Sequence, residues 1–285
     1  MPRRTPWALG VGRWDFQNVP ESPTMLLAID VGNTNVTIGV FDGQRLAHHW
    51  RLAALRERTA DELGIFVTRL FEQTKVDINS VSGIVVASVV PPLTRPMEEM
   101  CERYFGRPPL LVDAENAGMP IRYYPAMDVG ADRIVNALAA REKYGQDPPV
   151  SLIVVDFGTG TTFDVISREG EYIGGVICPG IGISAEALFQ RAARLPRVDV
   201  RKPHGVIGQT TVDAMQSGLF FGYVEMVDGL VRRIRREMPD GASTRVIATG
   251  GLAGLLAAEA ESIQHVDSDL TLDGLRLIWE RNQRT

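Results

Sequence analysis

The chain has 285 residues, of which 45% are hydrophobic and 23% charged, with a formal net charge of −5 and two cysteines. That length accommodates two domains of roughly 100 to 150 residues, each with its own core. The acidic balance argues against a nucleic-acid partner, no apolar stretch has the length of a membrane span, and Cys101 and Cys178 lack metal-ligand spacing, so a reduced, cytoplasmic setting is expected.

Residues 1–24 carry arginines, two tryptophans and prolines without a continuous apolar core, and are expected to form a disordered extension. Met25 opens the first strand, which runs to Asp30. Val36 to Phe41 and Arg45 to Leu52 follow as strands, with Asp42-Gly43 as the turn between them. Thr59 then reads as the N-cap of an amphipathic helix carrying Leu63, Phe66, Val67, Leu70 and Phe71 at helical spacing. Ser82 to Val90 is an apolar strand halted by Pro91-Pro92. Leu93 to Phe105 reads as helix, with Pro96 limiting its start, and Leu110 to Val112 as a short strand. A helix over Asp132 to Tyr144 closes this half.

The second half repeats the order. Leu152 to Asp156, Thr161 to Ser167 and Glu171 to Ile177 are expected strands, then Ser184 to Ala193 and Thr211 to Glu237 helices. Arg245 to Thr249 is a strand, and Gly251 to Ala260 and Leu272 to Asn282 are helices. The fold class is therefore α/β: a duplicated, two-lobed chain with a mixed sheet flanked by helices in each lobe, residues 25–145 and 146–285, and a ligand site in the cleft between lobes.

Two turns carry the chemistry. Ala28-Ile29-Asp30-Val31-Gly32-Asn33-Thr34 and Val154-Val155-Asp156-Phe157-Gly158-Thr159-Gly160 each run from an apolar strand into Asp-x-Gly and small polar residues, 126 positions apart. One such turn is most simply a hairpin. Two suggest a duplicated phosphate site, because Gly lets backbone N–H groups approach a phosphate, Thr hydroxyls donate to it, and Asp holds a cation or its water.

With the glycine-rich Ala248 to Leu252, this pattern resembles the acetate/sugar kinase, Hsp70 and actin superfamily, with its ribonuclease H-like fold. Together with Gly130-Ala131-Asp132-Arg133, Gly174 to Gly180 and Thr211 to Gly218, it is similar to type III pantothenate kinase, the first enzyme of coenzyme A synthesis. The resemblance implies that Asp30, Gly32, Asn33, Thr34, Asn35 and Thr37 form the first phosphate loop, with Asp30 near Mg²⁺ or its water. It places Thr159 at the second ATP-phosphate contact and Asp156 at a monovalent cation, K⁺ or NH₄⁺. Tyr123, Gly130, Ala131, Asp132, Arg133 and Thr211 would bind pantothenate, Asp132 taking the proton of its hydroxyl. A homodimer is also implied.

On position alone, Asp132 in the first turn of a helix is a helix-start stabiliser. Arg133 beside it changes the weighing, because a guanidinium can clamp a carboxylate, and pantothenate offers both a carboxylate and a hydroxyl. Lysines are scarce near these motifs, so neutralisation of phosphate charge is expected from the metal, the monovalent ion and backbone N–H groups. Gly160 stands where the family usually has Ala. Gly174-Gly175 and Pro179-Gly180 read as bulge and loop, and Arg232, Arg233, Arg235 and Arg236 as a solvated helix face. The alternatives are a kinase of another small hydroxyl acid or a sugar, and a non-catalytic ATP-binding regulator with the same fold.

Overall fold

A computed structural model describes residues 25–283. The expectation for residues 1–24 lies outside them. The first sheet holds β1 (Met25–Val31), β2 (Asn35–Asp42), β3 (Arg45–Ala53), β4 (Val81–Ser88) and β5 (Leu110–Leu111) in the order β3-β2-β1-β4-β5. The second holds β6 (Leu152–Phe157), β7 (Gly160–Ile166), β8 (Tyr172–Pro179), β9 (Arg245–Thr249) and β10 (His265–Val266) in the order β10-β9-β6-β7-β8. Each sheet is an antiparallel three-strand meander extended by parallel strands, so the duplication read from the two turns extends to topology.

The helices place these sheets in five layers. One face of the first sheet is covered by α1 (Ala60–Thr74) and α2 (Pro91–Phe105), around Leu27, Ile29, Ile84, Val86, Leu63 and Met97. Its other face meets α3 (Ala131–Tyr144) and α7 (Leu270–Asn282), which also cover the second sheet through Leu152, Val154 and Ile247. The far face of the second sheet is closed by α4 (Ile181–Arg191), α5 (Thr211–Glu237) and α6 (Ala253–Leu256). The last helix thus returns to the first sheet, where Trp279 fills the space left by Gly83 on β4.

Local chemistry accounts for most boundaries. Thr59 and Glu62 form a reciprocal capping box at the start of α1. The start of α2 differs from expectation: it begins at Pro91, because proline is tolerated in a first turn, and Pro96 lies inside the helix. Between Ala253 and Ala260 only one helical turn forms, and the chain then bends so that Ala260 packs into the core and His265 and Val266 pair with β9. A strand of two residues carries no periodicity, which is why β10 was not foreseen. Of the four arginines on α5, Arg235 is half-buried and donates to the Thr244 carbonyl, whereas the other three are exposed. No helix among the described residues is long and apolar enough to cross a membrane.

Candidate active site

Strand alternation places the two turn aspartates. Leu26 and Ala28 of β1 face α3 and α7, so Asp30, two residues on, leaves the sheet on the same side. Leu152 and Val154 of β6 do the same for Asp156. Between the sheets, α3 begins at Ala131 and brings Asp132 to the same place. Three carboxylates from two strand ends and one helix start therefore come near enough between the sheets to repel one another.

The two turns also touch. Thr34 Oγ1 and Thr159 Oγ1 are 2.7 Å apart. The first turn is one residue longer, since Asp30 pairs with Thr37 across its hairpin while Asp156 pairs with Thr162. Gly32 closes the first turn by donating its N–H to the Asn35 carbonyl at 3.0 Å, leaving Asn33 and Thr34 exposed above it. Asn35 and Thr37 are half-buried on β2, and Thr159 is half-buried on the second turn.

Burial and mutual repulsion set these three carboxylates apart from ordinary ones. Asp30 Oδ1 is sealed from solvent without a hydrogen-bond partner. Burial pushes the Asp30 carboxyl up to about 8, helped by Asp132 and Asp156 and opposed by Arg51. Burial also raises Asp156 to about 7, with Asp132 and Asp164 adding to the shift and a hydrogen bond from Asn136 opposing it. Asp132 is raised as well, mainly by burial, although the Arg133 N–H donates to its Oδ1 at 2.7 Å. An orphaned, buried carboxylate oxygen beside two further carboxylates is chemistry that a cation satisfies. Among the described residues no three His, Cys, Asp or Glu side chains converge closely enough to hold a metal ion by themselves.

Glycines make room for these carboxylates. A Cβ on Gly130 would lie 2.6 Å from Asp132 Oδ1, and one on Gly250 would lie 2.5 Å from Asp156 Oδ1. Gly250 also has φ of +93°, a backbone region that other residues rarely adopt. Gly130 precedes α3 and accepts from the N–H groups of Arg133 and Ile134, while Ala131 is buried.

Arg133 is more engaged than its sequence position indicates. Its Nε donates to Asp164 Oδ1 at 2.7 Å in a pair whose side chains are 9% and 0% exposed. Asp164 also accepts from Tyr172 Oη at 2.9 Å and Thr162 Oγ1 at 3.0 Å, and burial holds it up at about 6 against these partners. Tyr123 meets the Tyr172 ring edge-on with centroids 6.4 Å apart, and the Arg133 guanidinium lies 5.8 Å from the centroid of the same ring. Thr211 is exposed at the first position of α5, and no side-chain hydrogen bond or ion pair among the described residues joins it to this group. Asp164 and Asn136 were missed by sequence reasoning. Asn136 lies one turn beyond Asp132 on α3, donates to Asp156 Oδ2 at 3.0 Å and accepts from Thr271 Oγ1 at 2.7 Å. The available signal was a lone polar residue in the apolar run of α3.

Comparison with known proteins identifies the family. A family model described as type III pantothenate kinase matches residues 26–233. The type III pantothenate kinase of Koribacter versatilis is 52% identical over 270 residues, covering 91% of this chain and 96% of the relative. That of Geobacter sulfurreducens is 50% identical over 260 residues, covering 91% and 100%. Among solved structures, a Baf family protein from Campylobacter jejuni is similar with a TM-score of 0.58 at 21% identity, covering 91% of this chain and 100% of the other. An ethanolamine utilization protein from Carboxydothermus hydrogenoformans is similar at 0.53 and 13% identity, covering 91% of each. At those identities the structures bear on fold alone. The sequence matches run through both turns and the Gly130 to Arg133 segment, and this chain belongs to the type III pantothenate kinase family.

Proposed function

We infer that this chain transfers the γ-phosphoryl group of ATP to the primary hydroxyl of pantothenate, yielding 4′-phosphopantothenate and ADP in the first step of coenzyme A synthesis. The observation that carries the assignment of roles is the meeting of Asp30, Asp132 and Asp156 at two turns in contact through Thr34 and Thr159. Phosphoryl transfer needs an aligned nucleophile and charge neutralisation more than covalent help.

Asn33, Thr34, Asn35, Thr37 and Thr159 supply N–H and side-chain groups for the ATP phosphates, and Gly32, with no side chain in the way, lets the phosphates approach the turn. Asp30 holds Mg²⁺ or its water, as its orphaned Oδ1 suits. Asp156, oriented by Asn136, holds K⁺ or NH₄⁺. When bound, these cations neutralise charge on the transferring group. Asp132 accepts the hydroxyl proton of pantothenate, and its raised pKa makes it a stronger base than an exposed carboxylate. The remaining edge of the Arg133 guanidinium takes the acceptor carboxylate, beside Tyr123, Gly130, Ala131 and Thr211. The guanidinium edge that Asp164 does not engage offers paired donors that match a carboxylate better than a neutral sugar, which favours the acid over the sugar alternative.

The functional unit is a homodimer. Tyr124, Met127 and Ile177 are 98%, 83% and 65% exposed, and the 121–127 segment lies against the start of edge strand β8 through the Ile121 to Tyr172 bridge. An apolar strip along a strand edge suits burial against a second copy. Two free thiols suit the cytoplasm.

The decisive experiment is ADP release with ATP, Mg²⁺ and K⁺, with and without pantothenate, for the wild type and Asp132→Asn. Pantothenate-dependent ADP formation is expected, with kcat falling by roughly 10²- to 10⁴-fold in the variant. Undiminished turnover in Asp132→Asn removes Asp132 as the proton acceptor. Absence of pantothenate stimulation in the wild type removes the acceptor assignment.

A further inference from the structure

The cleft already brings three carboxylates together, and a polyphosphate adds more negative charge to the same space. One arginine on this face has no side-chain hydrogen bond or ion pair among the described residues. In the first sheet Asp30 pairs with Thr37 and Thr37 with Arg51, so the three stand in one cross-strand row and leave the sheet on the same side, toward the second lobe. Arg51 is exposed, and its guanidinium makes no side-chain hydrogen bond or ion pair with any described residue. Arg51 Nη1 nevertheless lies 3.9 Å from the position a Cβ on Gly251 would take. A side chain rooted on β3 thus reaches across the cleft mouth to the glycine turn after β9.

We propose that Arg51 is a nucleotide-binding residue whose guanidinium closes over the ATP phosphates from β3, linking the first lobe to the Gly250-Gly251 turn through the bound nucleotide. This deepens the kinase reading and rests on its placement of ATP between the two turns. The geometry suits the ligand: a planar fork of donors engages phosphate oxygens in pairs, and an arginine without a side-chain hydrogen bond or ion pair gives up none to do so. Arg51 is also electrostatically coupled to the site, because its charge opposes the upward shift of Asp30. Phosphate charge is then neutralised partly by the protein, beyond the cations and N–H groups that the sequence indicated.

The test uses the full chain with Arg51→Gln and Arg51→Lys. Calorimetric titration with Mg²⁺-ADP reads nucleotide binding directly, and steady-state kinetics reads the two substrates separately. In Arg51→Gln the Kd for ADP and the KM for ATP are expected to rise about 10-fold or more, with the KM for pantothenate unchanged. The loss of affinity with added salt should be shallower than in the wild type, and Arg51→Lys should recover part of the affinity. Because Arg51 is exposed, the melting temperature should stay at the wild-type value. An ADP Kd in Arg51→Gln within about twofold of wild type overturns the proposal. So does an equal rise in KM for both substrates. If the wild type binds ADP without pantothenate-dependent turnover, the acceptor assignment fails while the ADP titration still judges Arg51.

Discussion

Asp30 and Asp156 titrate far from the ordinary carboxylate value of 3.8, at about 8 and about 7, because burial and neighbouring carboxylates disfavour their charged forms. The folded protein therefore holds protons that the unfolded chain has released. The sign follows from linkage: the stability associated with this pair is full below pH 3.8 and is lost as pH rises through about 7 to 8. A cation binding the ionised carboxylates reverses that loss and must displace protons at lower pH. Mg²⁺ with K⁺ should therefore raise the melting temperature more at about pH 9 than at about pH 6. Equal shifts at both values, in a fluorescence melt without nucleotide, would mean that cations do not compete with protons at these aspartates.

At the scale of elements, the site depends on strand ends and turns more than on helices. The glycine turn after β9 is the clearest case, since Gly250 combines φ of +93° with the near contact to Asp156 Oδ1. Gly250→Ala should lower stability by about 1 to 3 kcal/mol through backbone strain and displace the Asp156 carboxylate. Half-maximal activity should then require more K⁺. An unchanged response to K⁺ in a folded, destabilised variant would separate Gly250 from the proposed cation role of Asp156. The bulge reading of Gly174-Gly175 is met by a shift of register between Val165 and Ile166 and by the positive φ of Gly174. Gly175 then stands opposite Asp164 on β7, and its bare Cα leaves room for the Arg133 guanidinium, 2.8 Å from the site of a Cβ.

Over the whole molecule, the two sheets share one central layer, in which α3 and α7 pack between them. Nine of the fourteen residues of α3 are buried, because sheets cover it on both sides. The close crossing of α7 over Val135 is permitted by Gly274. The same arrangement leaves β8 at the sheet edge, bridged by Ile121 at Tyr172 and with Ile177 exposed further along. Ile177→Glu should convert a dimer to a monomer by light scattering and raise the KM for pantothenate, with ATP affinity retained. An unchanged molar mass in this variant would exclude the β8 edge as the interface.

The sequence by itself determined the duplicated α/β order, the two Asp-x-Gly turns, the capped start of α1 and the family, because apolar periodicity, turn glycines and short motifs are local signals. The continuous apolar runs of β1 and β6 left open which face Asp30 and Asp156 occupy, and that was settled by the contacts of Leu26, Ala28, Leu152 and Val154 with α3 and α7. Only the tertiary structure decided which faces oppose one another. Asn136 became the partner of Asp156, Asp164 the partner of Arg133, and Arg51 a neighbour of Gly251 through contacts 20, 31 and 200 positions apart in the chain. Register and layer packing set those contacts, and neither is written in any short window of residues.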